Sequence, residues 1–203
     1  MLSILIATHN QDKLAEIRQI LGDAPLRLYS MDDFPKFPPT VEDRDTIEGN
    51  AMKKALEMAK LSGMLCLADD TGLFIDALDG APGVYAARFA GEGCSYHDNR
   101  VKALQLLEGI TQRKAEFRTA MALAAPDGII SFQIGKVTGS IAYEEKGEAG
   151  FGYDSIFIVD SLQRSFGELS DSEKHSVSHR GRVLRAMLPV ILSLDQAASP
   201  FFK

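Results

Sequence analysis

Two neighbouring carboxylates, Asp69 and Asp70, come directly after an apolar run at residues 64–68 and are followed by Thr71 and Gly72. The apolar run predicts a buried strand, and ligands of open α/β sheets bind at the carboxyl ends of such strands. Carboxylate oxygens are the hard ligands that Mg²⁺ uses in proteins. The pair is therefore a candidate metal site. The alternative is an Asx-type turn with Gly72 in the left-handed conformation.

A second candidate site lies near the amino terminus. Thr8, Asn10 and Lys13 separate an apolar run at residues 3–7 from a helical pattern at residues 13–21. A helix N-terminus offers free N–H groups and partial positive charge, and both suit a phosphate group. Thr8 and Asn10 can hydrogen-bond an anion, and Lys13 can neutralise it. The alternative is an ordinary helix cap followed by a solvated lysine.

Glu42 and Lys54 are weaker candidates, one before and one inside a second helical pattern at residues 46–62. A single glutamate in a loop becomes a metal ligand only if the fold brings it near Asp69. A lysine within a helix is most often a surface residue.

A glycine-rich segment, Gly150-Phe-Gly-Tyr-Asp154, combines two glycines with two aromatic residues. The glycines let the backbone pass close to a flat ligand. Phe151 can stack on a base, an interaction that contributes about 1–3 kcal/mol per base. Asp154 can accept a hydrogen bond from a purine ring N–H. The alternative is a glycine-rich turn whose aromatic side chains pack inward.

A basic segment, Ser178-His-Arg180, follows shortly after Lys174. Arginine only donates hydrogen bonds. Arg180 therefore suits the 6-oxo group of a purine and opposes the 6-amino group of adenine. The alternative is a basic cluster that opens a helix, a placement that the helix dipole disfavours.

The elements that would position these residues alternate between strand and helix patterns, which predicts an α/β fold with a mixed sheet. A hairpin is expected around residues 126–128. Capping boxes are expected at Asp45 with Glu48 and at Ser170 with Glu173. Strands are predicted at residues 3–7, 26–29, 64–68, 73–77, 117–124, 129–134 and 156–159, and helices at residues 13–21, 46–62, 98–107 and 183–191.

The composition, 45% apolar and 25% charged residues, is that of a globular protein with a single domain over residues 1–203. The net charge of −6 argues against a nucleic-acid polymer as partner, because such binding depends on a basic surface. Cys66 and Cys94 have no metal-ligand spacing, which fits a reducing cytosol. No signal peptide is visible and no apolar run reaches the roughly 20 residues of a membrane helix, so we expect a cytoplasmic protein without a membrane partner.

The order and combination of these motifs are more specific than any of them alone. The chain resembles the inosine triphosphate pyrophosphatases, the dITP/XTP pyrophosphatases that cleanse the nucleotide pool. The resemblance spans about residues 4–190 and is therefore that of a whole domain. It is carried by Thr8-x-Asn10-x-x-Lys13, Glu42, Thr46-Ile47-x-x-Asn50-Ala51-x-x-Lys54-Ala55, Ala68-Asp-Asp-Thr-Gly72, Gly80-Ala-Pro-Gly83, Ala87-Arg-Phe89, Gly150-Phe-Gly-Tyr-Asp154, Phe166-Gly-Glu-Leu169, Lys174 and Ser178-His-Arg180.

The resemblance implies an elongated α/β domain of two lobes, with a long mixed sheet flanked by helices. It implies an active-site cleft between the lobes and a homodimer. It also implies Mg²⁺-dependent hydrolysis of non-standard purine nucleoside triphosphates (ITP, dITP and XTP) to the monophosphate and pyrophosphate.

The resemblance further implies a role for each candidate residue. Glu42 and Asp69 would hold Mg²⁺, and Asp69 would also be the general base. Thr8, Asn10 and Lys13 would contact the triphosphate, and Asp70, Lys54 and Lys174 would assist with phosphate and metal. Phe151, Asp154, His179 and Arg180 would contact the base, with Gly152 and Tyr153 grouped among the substrate-binding residues.

Three positions depart from the family pattern. Gly49 stands where a glutamate is expected, Ser155 replaces the usual proline, and Thr119 occupies a position that is cysteine in many members. None of these changes removes a proposed catalytic group.

Other functions stay open at this point. They are a pyrophosphatase for other modified nucleotides, a nucleotide-binding sensor without catalysis, and a phosphatase that releases orthophosphate. The two base-binding segments favour a purine substrate. Glu42, Asp69 and Asp70 favour catalysis, because a pure binding protein needs no carboxylate to activate water.

Overall fold

A computed structural model of the protein describes the backbone of residues 1–198 and the side chains of residues 1–195. Over that part of the chain, strands and helices alternate as expected of an α/β fold. The strands are β1 (Leu2–Ile6), β2 (Leu26–Ser30), β3 (Leu65–Ile75), β4 (Pro82–Gly83), β5 (Lys114–Ala125), β6 (Gly128–Ile141), β7 (Phe157–Val159) and β8 (Arg164–Ser165). The α-helices are α1 (Gln11–Leu21), α2 (Ile47–Ser62), α3 (Tyr96–Leu106), α4 (Asp171–Val177) and α5 (His179–Ala198).

The strands form one eight-stranded sheet in the order β2-β1-β3-β5-β6-β7-β8, with β4 paired to β3. β1 is parallel to both of its neighbours, β2 and β3. The pairs β3–β4, β6–β7 and β7–β8 are antiparallel. Parallel neighbours need a crossover connection, and α1 and α2 supply it. The predicted α/β class and mixed sheet are confirmed.

The largest departure from the sequence prediction is β3. The sequence predicts two strands separated by a turn, whereas the structure has one continuous strand, Leu65–Ile75. Asp69 and Asp70 therefore lie within a strand and not beyond its carboxyl end. Gly72 is not among the residues with positive φ, so the alternative of an Asx-type turn is also wrong. A Cβ at Gly72 would lie 2.7 Å from the Gly83 carbonyl oxygen, so the close approach of β4 accounts for this glycine.

The start of α2 also differs from the prediction. Thr46 is the N-cap, and its Oγ1 accepts a hydrogen bond from the Gly49 N–H at 3.0 Å. The prediction that Asp45 caps this helix is wrong by one residue. The helix ends at Gly63, whose φ of 70° is the left-handed conformation that commonly terminates helices. The capping box predicted from Ser170 is confirmed at α4.

The predicted hairpin is present and longer than expected. β5 and β6 are joined by a two-residue turn at residues 126–127. Both strands extend beyond their predicted ends, to 12 and 14 residues.

α5 confirms the predicted C-terminal helix and begins at His179. Residues 179 and 180 thus open a helix, as the alternative interpretation of the basic segment has it. Neither α5 nor any other described helix is long and apolar enough to cross a membrane.

The chain divides into two compact units, each with its own hydrophobic core. The first unit comprises Met1–Asp70, Thr119–Gly135 and the residues from Arg180 onward. Its core packs side chains of β1, β3 and β5 against α1 and α5. The buried residues of this core are Ile4, Ile6, Leu14, Ile17, Leu21, Leu67, Met121, Leu123, Val183, Leu184, Met187 and Ile191.

The second unit comprises Thr71–Arg118 and Lys136–His179. Aromatic rings dominate its core: the Phe117 and Phe157 ring centroids are 4.6 Å apart, and the Phe157 and Phe166 rings are stacked at 5.5 Å. The other buried residues of this core are Leu73, Ile75, Ala86, Ala103, Leu107, Ala115, Val137, Ile141, Tyr153, Ile156, Val159 and Leu169.

Candidate active site

The loop between β1 and α1 forms a regular helix cap. The Asn10 side chain accepts a hydrogen bond from the Lys13 N–H at 3.0 Å, and Thr8 Oγ1 accepts one from the Asn10 N–H at 3.2 Å. Lys13 is not a solvated lysine, because its Nζ lies 3.3 Å from Asp69 Oδ2 and its side chain is 17% exposed. The loop therefore both caps α1 and places Lys13 beside Asp69.

Asp69 is the centre of a buried charge cluster in the first unit. Its side chain is 1% exposed, and its Oδ2 lies 3.1 Å from an Arg180 guanidinium nitrogen. Arg180, itself buried, also forms a salt bridge with Glu16 of α1. Burial alone would raise the pKa of Asp69, but the charges of Lys13, Arg180 and Lys54 outweigh it and hold that pKa below its ordinary value.

Asp70 has different surroundings from its neighbour. The Asn50 side-chain amide donates to Asp70 Oδ2 at 3.1 Å, and Asn50 Oδ1 accepts from the Arg44 N–H at 3.0 Å. Burial raises the pKa of Asp70, and the negative charge of Glu42 raises it further. Lys13 and other nearby donors offset only part of this shift, so the two adjacent carboxylates have pKa shifts of opposite direction.

Lys54 brings Glu42 into the same cluster. Its ammonium group forms a salt bridge with Glu42 and donates to the Asp69 carbonyl oxygen at 3.1 Å. Burial would lower the pKa of Lys54, but the charges of Glu42, Asp69 and Asp70 outweigh it and raise that pKa. Lys54 thus contacts both the Glu42 side chain and the Asp69 backbone, and that Glu42 and Asp69 share a metal ion stays a prediction.

The donor set of the first unit fits a Mg²⁺ ion. No three His, Cys, Asp or Glu side chains of the described residues form a ready-made metal cluster. Mg²⁺ does not need one, because it usually takes one or two carboxylates together with water and substrate phosphates. Burial is the main cause of the raised pKa of Asp70, and the negative charge of Glu42 adds to it; a bound divalent cation would oppose both effects.

The glycine-rich segment forms a tight turn in the second unit. Gly150 and Gly152 have φ of 75° and 61°, in the region that favours glycine. A Cβ at Gly150 would lie 2.2 Å from Asp154 Oδ2. That oxygen accepts hydrogen bonds from the Phe151 N–H at 2.7 Å and from Lys174 Nζ at 2.6 Å. Asp154 therefore shapes the turn, whatever else it binds.

Phe151 and Tyr153 point into different environments. Phe151 is partly exposed, with Lys174 Nζ 4.7 Å from its ring centroid. Tyr153 is buried, and its hydroxyl donates to the Ala86 carbonyl at 2.8 Å. Burial also raises the pKa of Tyr153. The alternative that the aromatics pack inward thus holds for Tyr153, whereas the Phe151 side chain stays partly exposed.

His179 belongs to the second unit and is also buried. Its ring packs on Phe117, with centroids 4.8 Å apart, and lies edge-on to Phe166 at 6.4 Å. Its neighbour along the chain, Arg180, belongs to the first unit, where it pairs with Asp69.

Comparison with known proteins decides the family. The family model described as "Ham1 family" matches residues 4–190. This chain belongs to the Ham1 family.

Ham1 relatives match along almost the whole chain. A dITP/XTP pyrophosphatase of Exiguobacterium sp. is 46% identical over 202 residues, covering 100% of both chains. One of Desulforamulus reducens is 44% identical over 192 residues, covering 94% of this chain and 96% of its own. The solved structure of a HAM1 protein from Coxiella burnetii is 37% identical, has a TM-score of 0.84, and covers 95% of this chain and 100% of its own.

The predicted site residues of this Ham1 chain fall into two sets, one for each unit. The structure brings together Thr8, Asn10, Lys13, Glu42, Lys54, Asp69, Asp70 and Arg180 in the first unit. It brings together Phe151, Gly152, Tyr153, Asp154 and Lys174, with His179 in the adjoining core, in the second unit. That the two sets share one cleft stays a prediction from the resemblance.

Two further residues of the first unit, Asn50 and Glu16, contact this set but were not assigned roles from the sequence. Asn50 stands in a family motif, but its link between Asp70 and the loop of Glu42 shows only in the structure. Glu16 lies three positions after Lys13 in α1, so the helical period places both on one side. Its near-complete burial shows only in the structure, and it accounts for the salt bridge to Arg180, since buried glutamates are almost always paired.

The structure gives a steric reason for the glycine at position 49, where the family pattern has a glutamate. A Cβ at this position would lie 2.9 Å from Arg44 Cβ and 3.2 Å from Thr46 Oγ1. The glycine thus accommodates the path of the loop before α2 and the cap that starts the helix.

Proposed function

We propose that this Ham1 chain is a Mg²⁺-dependent pyrophosphatase that hydrolyses ITP, dITP and XTP to the monophosphate and pyrophosphate. The observation that carries the proposal is the buried pair Asp69–Asp70 on β3. Three cations from helices α1, α2 and α5 surround it: Lys13, Lys54 and Arg180. The names of relatives over 40% identical, dITP/XTP pyrophosphatases, supply the substrate class. A pool-cleansing role in the cytoplasm follows from that activity.

Glu42 and Asp69 would hold Mg²⁺, with Asp70 close enough to share in the site through its interaction with Glu42. When bound, Mg²⁺ would polarise phosphate oxygens and neutralise their charge. The described cluster has four carboxylates (Glu16, Glu42, Asp69, Asp70) and three cations (Lys13, Lys54, Arg180), so a divalent ion would turn a formal charge of 3 − 4 = −1 into +1. A positive site is what a triphosphate requires.

The proton of the attacking water would pass to Asp70. The resemblance implied Asp69, but Asp69 Oδ2 lies against the cations Lys13 and Arg180, and a carboxylate paired with cations is a weak base. Asp70 Oδ2 instead accepts from the neutral amide of Asn50, and burial raises the pKa of Asp70 although Lys13 and Lys54 act to lower it. A more basic carboxylate takes a proton more readily. We therefore assign Asp69 to charge balance and metal binding, and Asp70 to the proton.

The phosphate chain would bind at the start of α1, where Thr8 and Asn10 form the cap. The free N–H groups of the first helical turn and the helix dipole favour an anion there. Lys13 and Lys54 would offset the charge that develops on the departing pyrophosphate. Positioning and charge neutralisation of this kind account for most of the catalysis of phosphoryl transfer.

The base would stack on Phe151, beside Gly152. Lys174, expected to assist with phosphate, lies over this ring and on Asp154, so we group it with the base. His179 and Arg180 were expected to contact the base as well. The salt bridges of Arg180 to Asp69 and Glu16 give it a second role, which is to hold the proposed metal ligand Asp69 in place. Donors at the 6-position would reject adenine by being left unpaired, a mechanism that discriminates by about 10⁴ or more.

A homodimer is part of the proposal and rests on the resemblance. Light scattering on the purified protein measures it, and a mass near 22.1 kDa, that of one chain, would contradict it.

A product assay tests the activity. We expect pyrophosphate from inosine and xanthosine triphosphates in the presence of Mg²⁺, little from guanosine and adenosine triphosphates, and none with EDTA. Pyrophosphate and orthophosphate are measured separately in every reaction.

Each other result selects a different function. Orthophosphate release would mean a phosphatase. Tight binding of inosine triphosphate without turnover would mean a sensor. Turnover confined to other modified nucleotides would keep the chemistry and replace the substrate.

A further inference from the structure

The turn that carries Phe151 has two glycines with positive φ, Gly150 and Gly152. Glycine backbones are conformationally permissive, so the direction of the Phe151 ring must be set by contacts from outside the turn. Asp154 holds the turn from one side through the Phe151 N–H and Lys174. A second group of side chains, outside every motif singled out in the sequence, makes separate contacts with the turn.

That second group begins on α3. Arg100 donates from its guanidinium to the Gly152 carbonyl at 3.0 Å. Tyr96, in the first turn of the same helix, places its ring 5.9 Å from the Phe151 ring at an interplanar angle of 42°. Tilted pairs at this separation attract each other. One helix thus contacts both the backbone and the aromatic side chain of the proposed base-binding turn.

Glu145 extends the group to Ser155. Arg100 Nε lies 2.9 Å from Glu145 Oε2, and the side chains are 17% and 33% exposed. The Ser155 hydroxyl donates to the same Glu145 oxygen at 2.9 Å. Ser155 is the residue that replaces the proline of the family pattern, and proline has no side-chain donor. The link from Arg100 through Glu145 to the end of the turn therefore depends on this chain's own serine.

We propose that Tyr96, Arg100 and Glu145, together called the α3 bracket, position Phe151 and Gly152 for the base and so set the affinity for purine nucleotides. The inference rests on the proposed function, because it takes the turn as the base site. The members of the bracket are positioning residues: they act through Phe151 and Gly152 and not on the phosphates. Loss of the bracket therefore weakens binding of the base and spares the groups that bind phosphate.

The test compares two ligands, one with a purine base and one that is a phosphate chain alone. The probes are an ITP analogue with a methylene group between the α and β phosphorus atoms, which is not hydrolysed, and inorganic tripolyphosphate. Calorimetry at fixed free Mg²⁺ gives Kd for each. For Arg100→Ala we expect roughly tenfold weaker binding of the analogue, the size expected for a hydrogen bond from a charged donor, and binding of tripolyphosphate within about twofold of the parent.

Kinetics gives an independent comparison. With ITP as substrate, Arg100→Ala should raise KM by about the same factor and leave kcat within roughly twofold, because a lost binding interaction acts on ground and transition states alike. Arg100→Lys, which keeps a donor, should recover part of the affinity. Ser155→Ala, the mildest change, should raise KM by about twofold to threefold.

Lys136→Ala is the control. Lys136 belongs to the same unit, is 53% exposed and pairs with Glu116. It should leave both Kd values unchanged.

Two results would overturn the inference: an unchanged Kd for the analogue in Arg100→Ala, or an equal loss for analogue and tripolyphosphate, which would mean a general structural role. Failure of the proposed function is a separate observation, since it is seen as absence of pyrophosphate release by the unmutated protein. The Kd comparison needs no turnover and decides the inference in either case.

Discussion

Asp69 and Asp70 are neighbours in sequence, but their pKa values shift in opposite directions. Successive side chains of a strand point to opposite faces. One carboxylate therefore meets Lys13 and Arg180, and the other meets Asn50. The pair thus provides a carboxylate that stays ionised and a carboxylate that is a better proton acceptor, without any change of residue type.

Replacing each carboxylate separates these roles. We expect Asp70→Asn to lower kcat for ITP by about 10²–10⁴, the range for loss of a general base, and to weaken Mg²⁺ binding only modestly. Asp69→Asn should also abolish turnover, and it should weaken Mg²⁺ binding more strongly than Asp70→Asn does. The measurements are kcat at saturating Mg²⁺ and a Mg²⁺ titration of each variant. Asp127→Asn, in the hairpin turn, is the control.

Near-normal turnover in Asp70→Asn, combined with a loss in Asp69→Asn, would return the general base to Asp69.

The salt bridges of Arg180 differ from the role that its side-chain type suggested. Its donor character suggested a contact with a 6-oxo purine. The structure shows a buried guanidinium between Glu16 and Asp69, whose positions in the chain lie 164 and 111 residues away. Removing one member of a buried charge network leaves uncompensated charges. Activity lost in an Arg180 variant therefore reports on Asp69 as well as on base recognition.

At the scale of elements, α2 organises the metal side of the site. Lys54 reaches Glu42, and Asn50 links the Arg44 N–H to Asp70. The adjacent Lys53 donates to the Val41 carbonyl at 2.7 Å. Three side chains of one helix thus fix the loop that presents the proposed metal ligand.

Two substitutions distinguish the observed N-cap of α2, Thr46, from the N-cap that the sequence predicted, Asp45. Thr46→Ala removes the hydrogen bond to the Gly49 N–H, and we expect it to lower the free energy of unfolding by about 1 kcal/mol. Asp45→Ala should change that free energy by less than about 0.5 kcal/mol, because Asp45 lies outside the cap. Denaturant titration measures both. A larger effect at Asp45 would mean that the cap is misassigned.

β3 shows why one element was mispredicted. Asp69, Asp70 and Gly72 have low strand propensity, and burying a charge in a strand is costly unless it is paired. The local sequence therefore favours a turn. Lys13 and Arg180, which make the buried strand possible, come from other elements.

At the scale of the whole molecule, metal binding should stabilise the fold. A ligand that binds the native state raises stability by RT ln(1 + [L]/Kd), which is about 1.4 kcal/mol at ten times Kd. For a chain of this size we expect Mg²⁺ at that level to raise the unfolding midpoint by about 3–5 °C. Glu42→Gln should reduce the shift, and Glu92→Gln, an exposed carboxylate, should retain it. Thermal unfolding with and without EDTA provides the measurement.

An equal Mg²⁺ shift in Glu42→Gln and in the parent protein would remove Glu42 from the metal site.

Much of the architecture follows from local patterns. The apolar periodicity located the longer elements other than β3, because burial imposes a period of two or 3.6 residues whatever the neighbours are; it missed the short β4, β8 and α4. The turn at residues 126–127 and the capping box at Ser170 were likewise determined by nearby residues. The positions of the candidate site residues were also visible in the sequence, since their types and order are characteristic of the Ham1 family.

Only the tertiary structure decided which role each of those residues can have, because it sets their contacts. The partners of Asp69, Asp70 and Arg180 come from distant parts of the chain, and the α3 bracket joins Arg100 to Gly152 across 52 positions. Charge, burial and hydrogen-bond partners set the basicity of a carboxylate and the direction of a ring. These quantities depend on distances in space, which no local pattern contains.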